Sequence, residues 1–389
     1  MVTLVINPGS SSKKYAFYKE DELLLKIRFE KTEEGFGRSV QVGGEQMRRE
    51  DVSVHIYREA LHEVLSLART HKVIGSLADI TTVAVRVVAP GTFFQHHQPI
   101  DESYISKLIR VERSLPLHIP PILEEIANVI KLLKHSKLVG VSDSAFHRTI
   151  PEVHYRYSVR DAESLEVRRY GYHGLSVAAA VRTLPSLVEN AGKRIVVAHI
   201  GSGASVTALQ SGSSIYNSMG FTPASGMLMG SRAGDMDPGA VVEVLNRTGT
   251  KLSGGHRYLQ TNGGFAGLLG TSDIRTVLMR EQHGDVRAAE AMKMFCFDVQ
   301  CAIMTAVIAL GGLDTLVLTA TAMERNTGLR ARVLKGLSFY GIALDEATND
   351  KVPISGGVIS SQDSSACVAV VPTDEMGEMA RIAHEHAND

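Results

Sequence analysis

Tryptophan is absent from this chain, and cysteine occurs three times in 389 residues, at Cys296, Cys301 and Cys367. An odd, low count with no CxxC pair argues against a disulfide framework and for a reducing, cytoplasmic setting. Neither sign of charge is in excess, with 41 Lys+Arg against 42 Asp+Glu. That balance speaks against non-specific adhesion to nucleic acid or to an anionic membrane, although it leaves a local basic pocket open. The opening residues Val2-Thr3-Leu4-Val5-Ile6 read as a strand and lack the basic start and longer apolar stretch of a signal peptide. The longest nearly apolar run, around Cys301 to Leu313, is too short to span a bilayer.

What is present is enough apolar material, 44% of the residues, to fill two cores of ordinary size. Strand-like and helix-like segments alternate, which places the chain in the α/β class. An approximate internal repeat organises it. Residues 3–19 read as strand, a glycine-serine turn (Asn7-Pro8-Gly9-Ser10-Ser11-Ser12), a second strand and a polar turn. Residues 194–210 repeat that order around His199-Ile200-Gly201-Ser202-Gly203-Ala204-Ser205. Glycine and hydroxyl residues at such a corner let backbone N–H groups approach phosphate oxygens. Two plain hairpin turns are the competing explanation, and recurrence at equivalent places in two halves weighs against it.

Helical patterns run over Ile56–Thr70, Ile119–His135, Val286–Leu310 and Glu375–His386. In the third, Met292, Phe295, Cys296, Val299, Ile303 and Val307 recur every three or four residues. That marks a core face and makes Cys296 packing rather than a nucleophile.

Several polar residues interrupt apolar strands or sharp turns. Arg86 lies within Val83–Val88, Asp143 closes the strand Leu138–Val141, and His173 stands between glycines and aromatics. Gly230–Pro238 is a glycine-rich loop with Arg232, Asp235 and Asp237. Each has an ordinary explanation as a strand end or polar turn. Together they fit phosphoryl transfer, in which cations surround a charge spread over phosphoryl oxygens and a carboxylate or amide holds the metal's shell.

In combination these segments resemble the acetate kinase (acetate/propionate kinase) family of the actin-like ATPase superfamily. The resemblance rests on Asn7–Lys14, Pro116–Pro121, Asp143–His147, Tyr170–Gly174, His199–Ser205, Ser218–Pro223 with Gly230–Pro238, Leu316–Thr319 and Pro372–Glu375. It implies two duplicated actin-like (ribonuclease H-like) domains facing an interdomain cleft. Residues 1–150, completed by a C-terminal helix at 376–389, would form one domain, and 151–375 the other, with the donor site. It implies a phosphotransferase with a carboxyl acceptor, making acyl phosphate reversibly from ATP and acetate or propionate, with Mg²⁺, in a cytoplasmic homodimer. By the same resemblance Arg86, Asp143, His173 and Arg232 are catalytic. Arg86, Val88, Leu117, Tyr172 and Pro223 bind the acyl substrate, with His118 just outside. Ser10, Ser12, Lys14, His199, Gly201, Ser202 and Gly203 form the phosphate loops. Asp273, Ile274, Arg275, Ala320, Thr321, Ala322, Met323 and Glu324 border the nucleotide, and Asn7 and Glu375 hold the metal.

The departures are concentrated on the nucleotide side. Where the family usually has Gly-Gly-Ile-Gly-Glu-Asn, this chain has Ala320-Thr321-Ala322-Met323-Glu324-Arg325, and Ser202 replaces an asparagine. Tyr172 adds a hydroxyl where phenylalanine is usual, which is expected to disfavour longer acyl chains if it faces the pocket. Added side chains at 320, 321 and 323 narrow the room for adenosine. Two alternatives therefore stand beside ATP-dependent transfer: a diphosphate donor with an occluded adenosine pocket, and a catalytically silent actin-like sensor or scaffold.

Overall fold

A computed structural model describes residues 2–9, 12–32 and 35–387. The chain divides into two compact units. Unit 1 comprises 1–89, 96–145 and 374 onward, and unit 2 comprises 90–95 and 146–373. The excursion of 90–95 into unit 2 had no counterpart in the sequence boundary at 150/151.

Unit 1 is built on a sheet of β1 (Val2–Pro8), β2 (Ser12–Lys19), β3 (Glu22–Thr32), β4 (Gly35–Val42), β5 (Arg48–Val52), β6 (Ile80–Val87), β7 (Gln98–Pro99) and β8 (Lys137–Ser142). The order is β5-β4-β3-β2-β1-β6-β8-β7. β1 to β5 form an antiparallel meander, and β6 and β8 continue parallel to β1. β-branched residues crowd β1 because it lies inside the sheet, with both faces covered. Farther out, β3 alternates, with Leu25, Ile27 and Phe29 buried between half-exposed Lys26, Arg28 and Glu30. The helix Glu375–Ala387 packs across β1, β6 and β8, burying Met376, Met379, Ala380 and Ala383.

Unit 2 repeats the plan with β9 (Arg194–Ile200), β10 (Ala204–Gln210), β11 (Ser213–Asn217), β12 (Thr315–Thr319), β13 (Gly357–Val358) and β14 (Cys367–Val370). Its order is β11-β10-β9-β12-β14-β13. A three-strand meander again leads into two strands parallel to its innermost member. Val177, Ala180 and Leu184 pack on Ile195, Val197, Leu209, Val317 and Ala369. Each such valine, leucine or isoleucine side chain contributes about 1.5–3 kcal/mol when fully buried.

The helices differ from the sequence reading at their ends. Ile56–Thr70 is two helices, Val54–Arg58 and Ala60–Thr70, joined at Glu59 (φ −88°, ψ 30°). The helix beginning at Ile119 stops at Leu132. Val286–Leu310 is one helix, capped by the Asp285 carboxylate and closed by Gly311 at φ +66°. Counting the apolar run only from Cys301 understated it. By length and composition this 25-residue helix could cross a bilayer. Here it serves as a core helix of unit 2, with Met292, Phe295, Val299 and Ile303 buried and its side against β10.

Candidate functional site

In unit 1 the candidate residues collect where the parallel strands end, the usual place for a site in an α/β sheet. Asn7 is near the end of β1, Arg86 near the end of β6, and Asp143 directly follows β8. The pairing Asn7↔Lys14 puts Lys14 beside them at the start of β2. Arg86 Nε and Nη2 donate to Asp143 Oδ1 at 3.0 and 2.9 Å, and Nη1 donates to Asn7 Oδ1 at 3.3 Å. Asn7 Nδ2 in turn donates to Glu375 Oε2 at 3.4 Å. Arg86 is thus no solvent-facing edge residue: its strand lies between β1 and β8, and its side chain is 18% exposed. Burial works against its charge, but Asp143 and Glu375 more than offset that and raise its pKa. Burial also lowers the Lys14 ammonium, which Glu375 counteracts and Arg28 and Arg86 reinforce.

At the first turn, Gly9 N–H donates to Ser12 O at 2.9 Å, and a Cβ on Gly9 would sit 3.0 Å from that oxygen. Ser10, also assigned to this loop, lies outside the described residues. Val88 is buried and Leu117 half-buried, both in unit 1, whereas Tyr172 and Pro223 belong to unit 2. Asn7 and Glu375 offer amide and carboxylate oxygens, the hard donors that Mg²⁺ prefers alongside phosphate and water. Among the described residues, no group of three His, Cys, Asp or Glu side chains makes a metal cage. A pair of protein oxygens fits Mg²⁺, which seldom uses an all-protein cage.

Unit 2 assembles its candidates at the corresponding strand ends, with a different chemistry. His199 sits in β9, and its turn continues through Gly201, Ser202 and Gly203. Gly201 N–H donates to Gly203 O at 2.9 Å. A Cβ on Gly203 would stand 3.1 Å from His173 Nε2 and 3.2 Å from Arg232 Nη1, so glycine is what lets both side chains meet the turn. The rings of His173 and His199 stack with centroids 4.1 Å apart. Two imidazolium charges at that spacing would repel by roughly 1–4 kcal/mol, which favours at most one positive ring.

Hydroxyl groups orient both rings. His173 Nδ1 is 3.0 Å from Ser205 Oγ, and His199 Nδ1 is 2.6 Å from Ser176 Oγ. Ser176 Oγ donates to Thr373 Oγ1 at 2.9 Å, and Thr373 Oγ1 donates to Ser176 O at 3.3 Å. In that direction of donors, His199 carries its hydrogen on Nδ1 and turns Nε2 away from the chain. Ser176 was missed in the sequence, whereas Ser205 and Thr373 lay within quoted segments but were given no role. Ser205 left a trace, a hydroxyl at the start of a largely apolar strand, and it is fully buried.

Arg232 Nη1 donates to Pro223 O at 3.0 Å. The Tyr172 side chain is fully buried, and its hydroxyl donates to Phe221 O at 2.6 Å. The hydroxyl is therefore satisfied by backbone, which removes the expected polar penalty on longer acyl chains.

The loop after β12 also differs from a simple obstruction. Ala320 has φ +69° and ψ 166°, a conformation that glycine adopts at little cost and alanine does not. Its N–H donates to Glu324 Oε1 at 2.9 Å, which also accepts from Thr373 N at 3.2 Å. Burial pushes the Glu324 carboxyl up, while the Thr373 and Ala320 N–H groups pull it down. Thr321 is exposed, whereas Ala322 and Met323 are buried. The Met323 carbonyl accepts from Arg330 Nη1 at 2.6 Å, so Met323 is built into the packing of the short helix Thr321–Arg325. Asp273 caps the helix Ile274–Gln282 and pairs with Arg275, whose side chain lowers its pKa.

A model of the acetokinase family matches residues 2–381. An acetate kinase of Carboxydothermus hydrogenoformans is 34% identical over 388 residues, covering 96% of either chain. One of Coprothermobacter proteolyticus is 35% identical over 403 residues, covering 99% of this chain and 98% of the relative. The crystal structure of Porphyromonas gingivalis acetate kinase superposes with a TM-score of 0.85 at 31% identity, over 99% of both chains. A propionate kinase from Francisella tularensis superposes with a TM-score of 0.89 at 26% identity, again over 99% of both.

Proposed function

This chain belongs to the acetokinase family, and on that footing we propose that it is an acetate kinase, transferring a phosphoryl group reversibly between ATP and acetate or propionate. The observation that carries the reading is the family match over residues 2–381. The two strand-end clusters supply groups of the right chemistry for it.

Arg86 holds the acceptor carboxylate in this reading, and Asp143 keeps its guanidinium oriented through the contacts at 3.0 and 2.9 Å. Arg232 and His173 act on the phosphoryl group as charge spreads over its oxygens. Backbone N–H groups at the Gly9–Ser12 and Gly201–Gly203 turns, with Lys14, hold donor phosphates. Asn7 and Glu375 are the residues that would hold Mg²⁺, which when bound neutralises part of the phosphate charge. In this reading Val88 and Leu117 of unit 1 and Tyr172 and Pro223 of unit 2 are the residues assigned to the acyl group, and Asp273 to Arg275 and Ala320 to Glu324 are those assigned to the nucleoside. A cytoplasmic homodimer completes the proposal, to be checked by sedimentation.

The decisive experiment is a donor screen of the purified protein with acetate, propionate or butyrate and ATP, GTP or diphosphate, trapping acyl phosphate as hydroxamate. ATP-dependent hydroxamate from acetate or propionate is expected. Product from diphosphate but not ATP would replace the donor, and no product from any pair would leave the silent scaffold.

A further inference from the structure

His173 occupies left-handed backbone, φ 61° and ψ 22°. For a residue other than glycine this costs on the order of 1 kcal/mol or more, and it persists where the surroundings over-determine it. The surroundings are specific. The carbonyl of Tyr172, in the peptide that leads into His173, accepts two hydrogen bonds. One comes from His147 Nε2 at 3.0 Å and the other from Asn217 Nδ2 at 3.2 Å. A carbonyl only accepts, so His147 carries a hydrogen on Nε2, and in the neutral ring Nδ1 accepts from Ser214 Oγ at 2.9 Å. The second N–H of Asn217 goes to Thr207 Oγ1 at 2.9 Å, and its Oδ1 accepts from Met219 N at 2.9 Å. Both side chains are thereby locked. Gly171, at φ +73°, presses against them: a Cβ there would come within 2.9 Å of the His147 ring and 3.0 Å of Asn217 Cβ. His147 and Asn217 have 1% and 0% of their surface exposed.

We propose that His147 and Asn217 are positioning residues for the transfer reaction. By gripping the Tyr172 carbonyl they set the peptide ahead of His173, and so aim the His173 ring at the Gly203 turn and Arg232. The inference rests on the phosphotransfer reading and deepens it. Both residues are buried and act through the backbone leading into His173. A small error in aim suffices, because a displacement of about 1 Å at a reacting centre costs on the order of a hundredfold in rate.

The test uses the full chain with His147→Ala, His147→Gln and Asn217→Ala. Acyl hydroxamate kinetics are measured alongside ¹⁵N-histidine spectra of the His173 ring. Alanine at either site is expected to lower kcat roughly ten- to hundredfold with KM for the carboxylate nearly unchanged. His147→Gln keeps an N–H donor and is expected to recover most of that loss. The His173 ring resonances should move in both alanine variants and return toward wild type in His147→Gln. Unmoved resonances, or a loss of rate that His147→Gln does not relieve, would overturn the proposal. If His147→Ala does not fold, Asn217→Ala decides on the same two readouts. If the wild-type chain makes no acyl phosphate, the functional reading fails, and the His173 spectra still decide the positioning.

Discussion

The two units use one strand order and finish it with opposite chemistry. At the strand ends of unit 1, formal charges set the chemistry: Arg86 contacts Asp143, and Glu375 acts on the Lys14 charge. At those of unit 2, two stacked imidazoles are held by neutral hydroxyls, and a glycine turn touches His173 and Arg232. The contrast teaches what each arrangement can tolerate. A buried ion pair is stiff, and removing one partner leaves the other uncompensated. A chain of neutral hydroxyls orients a ring without burying an ion pair and loses less when one member changes.

The largest test of this contrast compares the two arginines. Arg86→Ala and Arg232→Ala should each lower kcat by roughly two to three orders of magnitude. They should part in stability. Arg86→Ala removes an ion-pair partner of Asp143, which is 1% exposed, and should cost about 3–5 kcal/mol in chemical denaturation. Arg232→Ala frees a Pro223 carbonyl and should unfold near the wild-type midpoint. Equal midpoints for the two variants would erase the distinction between the units.

A second test carries the same logic to the opposite face of β2. Lys13, one residue from Lys14, pairs with Glu124 and the fully buried Glu125, which also accepts from Tyr15 Oη. Lys13→Met should destabilise by about 3 kcal/mol, and adding Glu125→Met should restore much of it. Burial works against the Lys13 charge, yet the two glutamates outweigh it and raise its pKa. A raised lysine stabilises fully below its ordinary pKa and loses that contribution as pH rises through the folded value. Alkaline titration of unfolding should therefore show a loss in wild type that Lys13→Met lacks.

The smallest effect belongs to unit 2. Ala320→Gly should relieve the φ +69° backbone and stabilise by about 1 kcal/mol, or about 2–4 °C in melting temperature. It should also lower KM for ATP if the methyl narrows the turn near Gly201. An unchanged melting temperature would show that the strain is absorbed elsewhere.

Much of this was legible in the sequence wherever chemistry and periodicity were local. The two Gly/Ser corners, the β-branched run of β1 and the apolar stripe of Val286–Leu310 each declare themselves within a few residues. Arg86 and Asp143 could be picked out one by one, as polar breaks in apolar strands. Their mutual contact could not, since 57 positions separate them. The breaks that were misjudged are weak local signals: Glu59 divides a helix without glycine or proline. His173 in a left-handed turn depends on the His147 and Asn217 side chains, and the satisfied hydroxyl of Tyr172 on the Phe221 carbonyl, all supplied by other segments. Ser176 and Thr373, 197 positions apart, are joined only by the fold.

The helix Glu375–Ala387 closes unit 1 although it comes last in the chain. On a ribosome, β1, β6 and β8 emerge early and then wait while all of 146–373 is made. At about 5–20 residues per second that wait is roughly ten to forty-five seconds. Throughout it, the apolar surface that Met376, Met379 and Ala383 will cover lacks its lid. The nascent protein thus completes its middle before its beginning, and a chain cut just before Glu375 would carry unit 2 whole beside a unit 1 still missing the cover of Met376, Met379 and Ala383.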